Sequence, residues 1–255
     1  MFKLIKYELR ANFLKIIGIC AIVIIANLFL MTKKGSWEIA VPVLSSILIF
    51  VAITVIFTSS LSIMSKYLYE DSGYLLFTLP QSGVSILSSR IITALIQISI
   101  VAGVSSLMLY LNVTEQLSSI LSNMLKNINP GLIIYNIFNY ICFVIYGLTM
   151  IYFCMVMGKV GLKGKKLGKI GSFIIFVILT IALGWLSTKI TTLLPQNFDL
   201  SKLSINTNEV IINSDFTVSG GEYNINIAKS ILDIIIFVGL FMSTSYLIDK
   251  KLDLS

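Results

Sequence analysis

The sequence predicts an all-α integral membrane protein: six transmembrane helices, an N-terminal amphipathic interface helix, and a small extracytoplasmic cap with short strands. Three observations carry this. Of 255 residues, 56% are hydrophobic and only 12% charged, and the mean hydropathy is +0.94, well outside the range of soluble domains. Six apolar stretches with at most one charge each are long enough to cross a hydrocarbon core about 30 Å thick, which takes roughly 20 helical residues. The cationic residues are unevenly divided between the two sides that these stretches define.

The predicted spans are Phe13 to Met31, Ile39 to Met64, Ile91 to Leu111, Leu132 to Met157, Ile170 to Leu186 and Ile231 to Ile248. Their apolar residues do not alternate, and in lipid each backbone must satisfy its own polar groups, so the spans are helices rather than barrel strands. Pro42 falls in the first turn of the second span, where a missing N–H matters least. Residues 1–255 form one six-helix domain, with an interfacial helix at 1–12, a cytoplasmic segment at 66–85, and outer segments at 112–130 and 189–229.

An even number of spans puts both termini on one side. That side holds thirteen of the nineteen Lys and Arg residues, including the loop "GKVGLKGKKLGK", and the other side holds six. The positive-inside rule therefore makes both termini cytoplasmic in a multi-pass protein of the cell membrane. The lysine loop serves topogenesis, contact with anionic lipid, or an acidic partner. The basic N-terminus is not a cleavable signal, because its apolar run is too long and no small-x-small site follows. Phe2, Ile5, Leu9 and Phe13 recur at helical spacing, the pattern of a helix lying on the inner membrane surface.

Several chemistries are disfavoured. The chain has no histidine, which removes His-containing triads and histidine proton relays. The three cysteines lie inside predicted spans without a C-x-x-C pair, so neither a disulfide framework nor a metal site is indicated. "GKVGLKGKK" lacks the glycine spacing and hydroxyl of a phosphate loop. A nucleic-acid role would need a soluble basic face with stacking aromatics. Within the spans only Lys15 and Asp233 are ionisable, and both sit near span ends. There Lys15 can snorkel and Asp233 can cap the first turn of span six, which argues against an ion-coupled carrier.

Polar uncharged residues are more informative. Ser85, Ser89, Thr93 and Gln97 recur every fourth residue into span three, and Asn136, Asn139 and Tyr140 gather near the outer end of span four. Such rows serve helix-to-helix hydrogen bonding or line a substrate path, for which Ser89, Thr93, Gln97, Asn136 and Asn139 are the candidates. Outside the membrane, Asn112 and Glu115 are spaced like a capping box ahead of an amphipathic outer helix. The runs "KLSIN", "EVIIN", "DFTVS" and "EYNINI" read as short strands.

Between spans two and three lies "EDSGYLLFTLPQSG". Asp71 or Ser72 caps a short helix, Tyr74 to Phe77 supply too few apolar residues to cross a bilayer, and Pro80 ends the helix at Leu79. Such a knob either seats in a groove on a cytoplasmic partner or dips into the lipid surface.

The N-terminal "FKLIKYELR", the loop "EDSGYLLFTLPQSGVSILSSR", the six spans and the long last outer loop together resemble the permease subunits of type-2 ABC exporters, in particular Gram-positive peptide exporters of the phenol-soluble-modulin kind. The resemblance implies that Glu70, Asp71, Gly73, Tyr74, Leu79 and Pro80 form a coupling segment docking on a separate cytoplasmic ABC ATPase. It also implies that Phe2 to Phe13 is a connecting helix. By the same resemblance two permeases, identical copies by preference, enclose the path, and ATP and magnesium bind the partner ATPase rather than this chain. The cargo it implies is hydrophobic or amphipathic, a peptide first. A drug or bacteriocin resistance exporter and a non-transporting membrane sensor or scaffold are the alternatives.

Overall fold

A computed structural model describes residues 2–34, 37, 40–69, 82–113, 130–160, 168–194, 197–199, 210–211, 217–218 and 224–250. Six long helices dominate: α1 (Phe2–Met31), α2 (Ala40–Tyr69), α3 (Gly83–Asn112), α4 (Pro130–Val160), α5 (Gly168–Leu193) and α6 (Ile227–Lys250). All six are long and apolar enough to span a membrane, so the chain is an all-α multi-pass membrane protein. Between α5 and α6, β1 (Asn197–Asp199) pairs antiparallel with β4 (Asn224–Asn226), and β2 (Val210–Ile211) with β3 (Thr217–Val218).

Each helix outruns its apolar window. A helix of 30 residues is about 45 Å long, half as long again as the hydrocarbon core, so the ends carry polar and aromatic residues into the headgroup layers. No proline interrupts residues 2–31, and α1 runs unbroken from the expected interfacial segment into the first span. Within it Ile5 is buried, Leu9 is half-buried and Phe13 is 57% exposed, so these positions are divided between the bundle and the outside.

The helix ends correct two readings. Asn112 does not begin an outer helix; it is the last residue of α3 and its side chain is buried. Asp233 lies six residues inside α6. The start of that helix is capped by Asn226, whose side-chain oxygen accepts a hydrogen bond from Lys229 N at 2.9 Å, and whose amide nitrogen donates to the Leu194 carbonyl at the end of α5. Lys34 donates to the Leu111 carbonyl at 3.1 Å, satisfying an orphan acceptor at the negative end of α3. Ser82 caps the N-terminus of α3.

Contacts at the helix ends establish one side of the bundle. Glu8 near the start of α1 meets Arg90 near the start of α3. The Asp249 carboxylate at the end of α6 accepts from Gly83 N. Tyr69 at the end of α2 meets Ser172 in α5, and Lys159 at the end of α4 lies over its ring. The six helices therefore alternate in direction, and the first and last described helices have their outer ends on the same side.

Helix α3 is the shared member. It packs on α1 and α2 on one flank and on α4 and α6 on the other, while α4, α5 and α6 pack together. Lipid tails are as apolar as leucine, so burial in water's sense does not drive these contacts; close van der Waals approach and hydrogen bonds do. Small residues supply the approach: Ser45, Ala52 and Ser60 on α2 and Ala94 on α3 are buried. A side chain on Gly83 would strike the Ser245 carbonyl and the Asp249 carboxylate, and one on Gly158 would collide with Ser172.

The Gly158 contact generates a prediction. Gly158→Ala should destabilise the detergent-solubilised protein by about 1–3 kcal/mol through overpacking. Adding Ser172→Gly, which removes the opposing hydroxyl, should recover most of the loss. Thermal unfolding followed by tryptophan fluorescence measures both, and an undiminished melting temperature in the single variant would show that α4 and α5 do not meet there.

Candidate functional site

One face of α3 carries Ser89, Arg90, Thr93, Gln97, Ser105 and Asn112, all buried. From Arg90 to Asn112 the helical rise is about 33 Å, comparable to the full hydrocarbon thickness. A continuous seam of polar side chains therefore runs through the bundle where α3 meets α1 and α2.

At one end the seam holds a charge pair. The Arg90 guanidinium is 4% exposed and its Nη2 lies 3.4 Å from Glu8 Oε1, on a side chain that is 15% exposed. Its Nη1 donates to the Ile63 carbonyl on α2 at 2.7 Å, and its carbon stands 4.5 Å from the centre of the Tyr67 ring. One side chain thus engages a carboxylate, a backbone carbonyl and an aromatic face, a combination suited to a planar guanidinium and not to a lysine ammonium. Nearby, the Tyr152 hydroxyl on α4 donates to the Ser60 carbonyl on α2 at 3.2 Å. At the other end, Asn27 Oδ1 accepts from Ser45 Oγ at 2.6 Å and from Asn112 Nδ2 at 2.8 Å, tying α1, α2 and α3 by one amide.

The seam is not fully satisfied along its length. Both amide atoms of Gln97 and the Ser105 hydroxyl in its middle are buried without a hydrogen-bond partner among the described residues, as are Glu8 Oε2, Arg90 Nε and Asn112 Oδ1 at its ends. A buried polar group without a partner costs on the order of 1–3 kcal/mol, and Gln97 is the one side chain of the seam with neither of its polar atoms bonded.

On the far flank, α2, α4 and α5 enclose an apolar cleft of about 430 Å³ lined by Phe57, Leu61, Ile151, Phe173 and Phe176. At its polar end the Tyr69 hydroxyl lies 3.4 Å from Ser172 Oγ, and the Lys159 ammonium is 5.5 Å from the Tyr69 ring centre. The size is in the range of small-molecule sites, and the lining suits an apolar chain with a polar head.

The structure separates the residues proposed for a substrate path. Ser89, Thr93 and Gln97 are 0% exposed and packed in the seam. Asn136 and Asn139 are exposed on α4, where the Asn139 amide donates to Tyr135. Within one chain the two groups are not brought together. Ser89 and Thr93 bond to carbonyls of their own helix. Glu70, Asp71, Gly73, Tyr74, Leu79 and Pro80 lie outside the described residues, as do Glu115 and the middle lysines of the 158–169 loop.

Sequence reasoning missed Glu8 and misjudged Arg90, which counted only as an inner-side cation. The available signal was the single acid in a basic leader, three residues after Ile5 and hence on the same helix face. Among the described residues no group of three His, Cys, Asp or Glu side chains could hold a metal, and Cys20, Cys142 and Cys154 are free thiols. Comparison with protein-family models, curated proteins and solved structures found no match to this chain.

The charge pair is open to a double-mutant cycle. Arg90→Ala should cost about 3–5 kcal/mol because it strands a buried carboxylate, and Glu8→Gln should cost less, since the guanidinium keeps the Ile63 carbonyl and the Tyr67 face. Combining Glu8→Gln with Arg90→Ala should cost less than the sum of the single changes. Denaturation in mild detergent reads all four proteins; strict additivity would mean that the two side chains do not interact.

Proposed function

We propose that the chain is the transmembrane permease subunit of an ATP-driven exporter, moving a hydrophobic or amphipathic substrate, a peptide by preference, out of the cell. The observation that carries this reading is the way both flanks of the 70–81 segment are anchored. Residues just before it, Ile63 and Tyr67 on α2, and Arg90 shortly after it on α3 join one buried cluster with Glu8 of α1, while Gly83 is held by Asp249 of α6. A force applied to the segment would reach four helices through short, polar, low-dielectric contacts rather than dissipate in a loose linker.

In this mechanism the fuel is consumed elsewhere. A cytoplasmic ABC ATPase subunit binds ATP and magnesium and presses on Glu70, Asp71, Gly73, Tyr74, Leu79 and Pro80. Glu70 and Asp71 set docking by charge, and Tyr74 and Leu79 supply apolar contact. Differential affinity of the ATPase for two arrangements of the bundle links nucleotide to transport. The seam between α1, α2 and α3, clamped at its ends and under-satisfied at Gln97, is the interface expected to rearrange. The cleft between α2, α4 and α5 supports an amphipathic cargo. A second permease copy completes the path, the 189–229 segment forms an outer cap, residues 1–12 contact the inner membrane surface, and both termini are cytoplasmic in a bacterial plasma membrane.

The test is biochemical. Affinity purification of the chain from its native membrane should recover a nucleotide-binding protein in equal stoichiometry. In proteoliposomes of that complex, Glu70→Lys with Asp71→Lys should lower cargo-stimulated ATP hydrolysis about tenfold or more while membrane insertion is unchanged. Recovery of no ATPase would favour the sensor or scaffold reading, and modification of a Ser82→Cys thiol by an impermeant reagent from outside intact cells would invert the topology and end the proposal.

A further inference from the structure

Helix α1 has a second ordered face. Beside the seam, Lys3, Lys6, Arg10, Phe13, Ile17, Cys20 and Ile24 recur at alternating three- and four-residue spacing, which places them on one stripe of the helix. The first three are cations and the rest are apolar. Together with Ile96 and Ile100 of α3, this stripe lines an open groove of about 880 Å³ that begins at Lys6 and Arg10 and continues to Ile24.

We propose that this groove is a binding site for an anionic phospholipid, with one acyl chain along the apolar stripe and the phosphate between Lys6 and Arg10. Charge complementarity commits the site to that occupant. Lys6 and Arg10 are both exposed, and among the described residues neither has an acidic partner. The one carboxylate nearby, Glu8, is turned to the other face and taken by Arg90. Two like charges at i and i+4 repel, so a shared anion relieves them. From Arg10 to Ile24 the groove runs about 21 Å, more than half the hydrocarbon thickness, which leaves room for a chain descending from a headgroup at the level of the cations. A second copy of this chain is disfavoured as the occupant, because a two-fold contact would bring the same patch against itself and stack its cations together. This site is separate from the cleft between α2, α4 and α5 and does not depend on what the protein transports.

The protein, reconstituted into vesicles of equal phosphatidylglycerol and phosphatidylcholine and extracted in mild detergent, can be analysed by native mass spectrometry for retained lipid. Phosphatidylglycerol should be retained selectively. Lys6→Gln with Arg10→Gln should weaken that retention about thirtyfold, from the usual contribution of two cations at a membrane surface. Lys66→Gln with Lys250→Gln, which removes equal charge from exposed positions elsewhere, should leave it intact. Ala21→Phe, which fills the groove without touching a charge, should also reduce it. Equal retention of the two lipids, or an equal loss from the Lys66 and Lys250 pair, would overturn the site. So would retention of a second chain in place of lipid that Ala21→Phe abolishes, since the groove would then be a protein interface.

Discussion

Arg90 is the constraint around which the rest of this bundle is arranged. A guanidinium that is almost completely buried would carry a desolvation cost of several kcal/mol if it stood alone. It is tolerated because three groups on two neighbouring helices offset that cost, the Glu8 carboxylate from α1 and the Ile63 carbonyl and Tyr67 ring from α2. Each of those partners is useful only in one position. Meeting the needs of one side chain therefore sets the depth and rotation of α1 and α2 against α3 at that end of the bundle.

The opposite end of the same interface is held by neutral groups. Asn27 takes two donors, Ser45 and Asn112, on a single carbonyl oxygen, and so aligns the three helices a second time. Between the clamps stands Gln97, fully buried and without a partner among the described residues. The seam is thus clamped by charge at one end and by amides at the other, and it rests on hydrogen bonds because a lipid environment offers no hydrophobic penalty for separating apolar helices.

Three surfaces of α1 and α2 thus do separate jobs. The inner face of α1, with Glu8 and Asn27, builds the seam; its outer stripe, with Lys6 and Arg10, faces the groove; and the flank of α2 bearing Phe57, Leu61 and Tyr69 faces the α4–α5 cleft. Basic residues are consequently not equivalent. Arg90 is structural, Lys159 and Lys250 lie over tyrosine rings near helix ends, and Lys6 and Arg10 point outward.

How much of this could be read from the chain follows from the solvent. Membrane helices were legible because a span needs about 20 uninterrupted apolar residues and nothing in soluble folds requires that. The row Ser89, Thr93 and Gln97 read as a face for helix packing or for a path, and only the fold set it, buried, inside the seam. Asn112 passed for a cap because its neighbour at i+3 is Glu115, whereas its amide is used by Asn27, 85 residues earlier.

Apolar content and the length of its uninterrupted runs were enough by themselves to mark six helices long and apolar enough to cross a membrane. The tertiary structure alone decided which face of each helix is internal, that Glu8 and Arg90 meet across 82 positions, and that Asn226 rather than Asp233 caps the last helix. The reason is physical: lipid is as apolar as a protein interior, so hydrophobic periodicity cannot tell a buried face from a lipid-facing one. The partners of the few polar side chains are chosen by packing, which a linear reading does not contain.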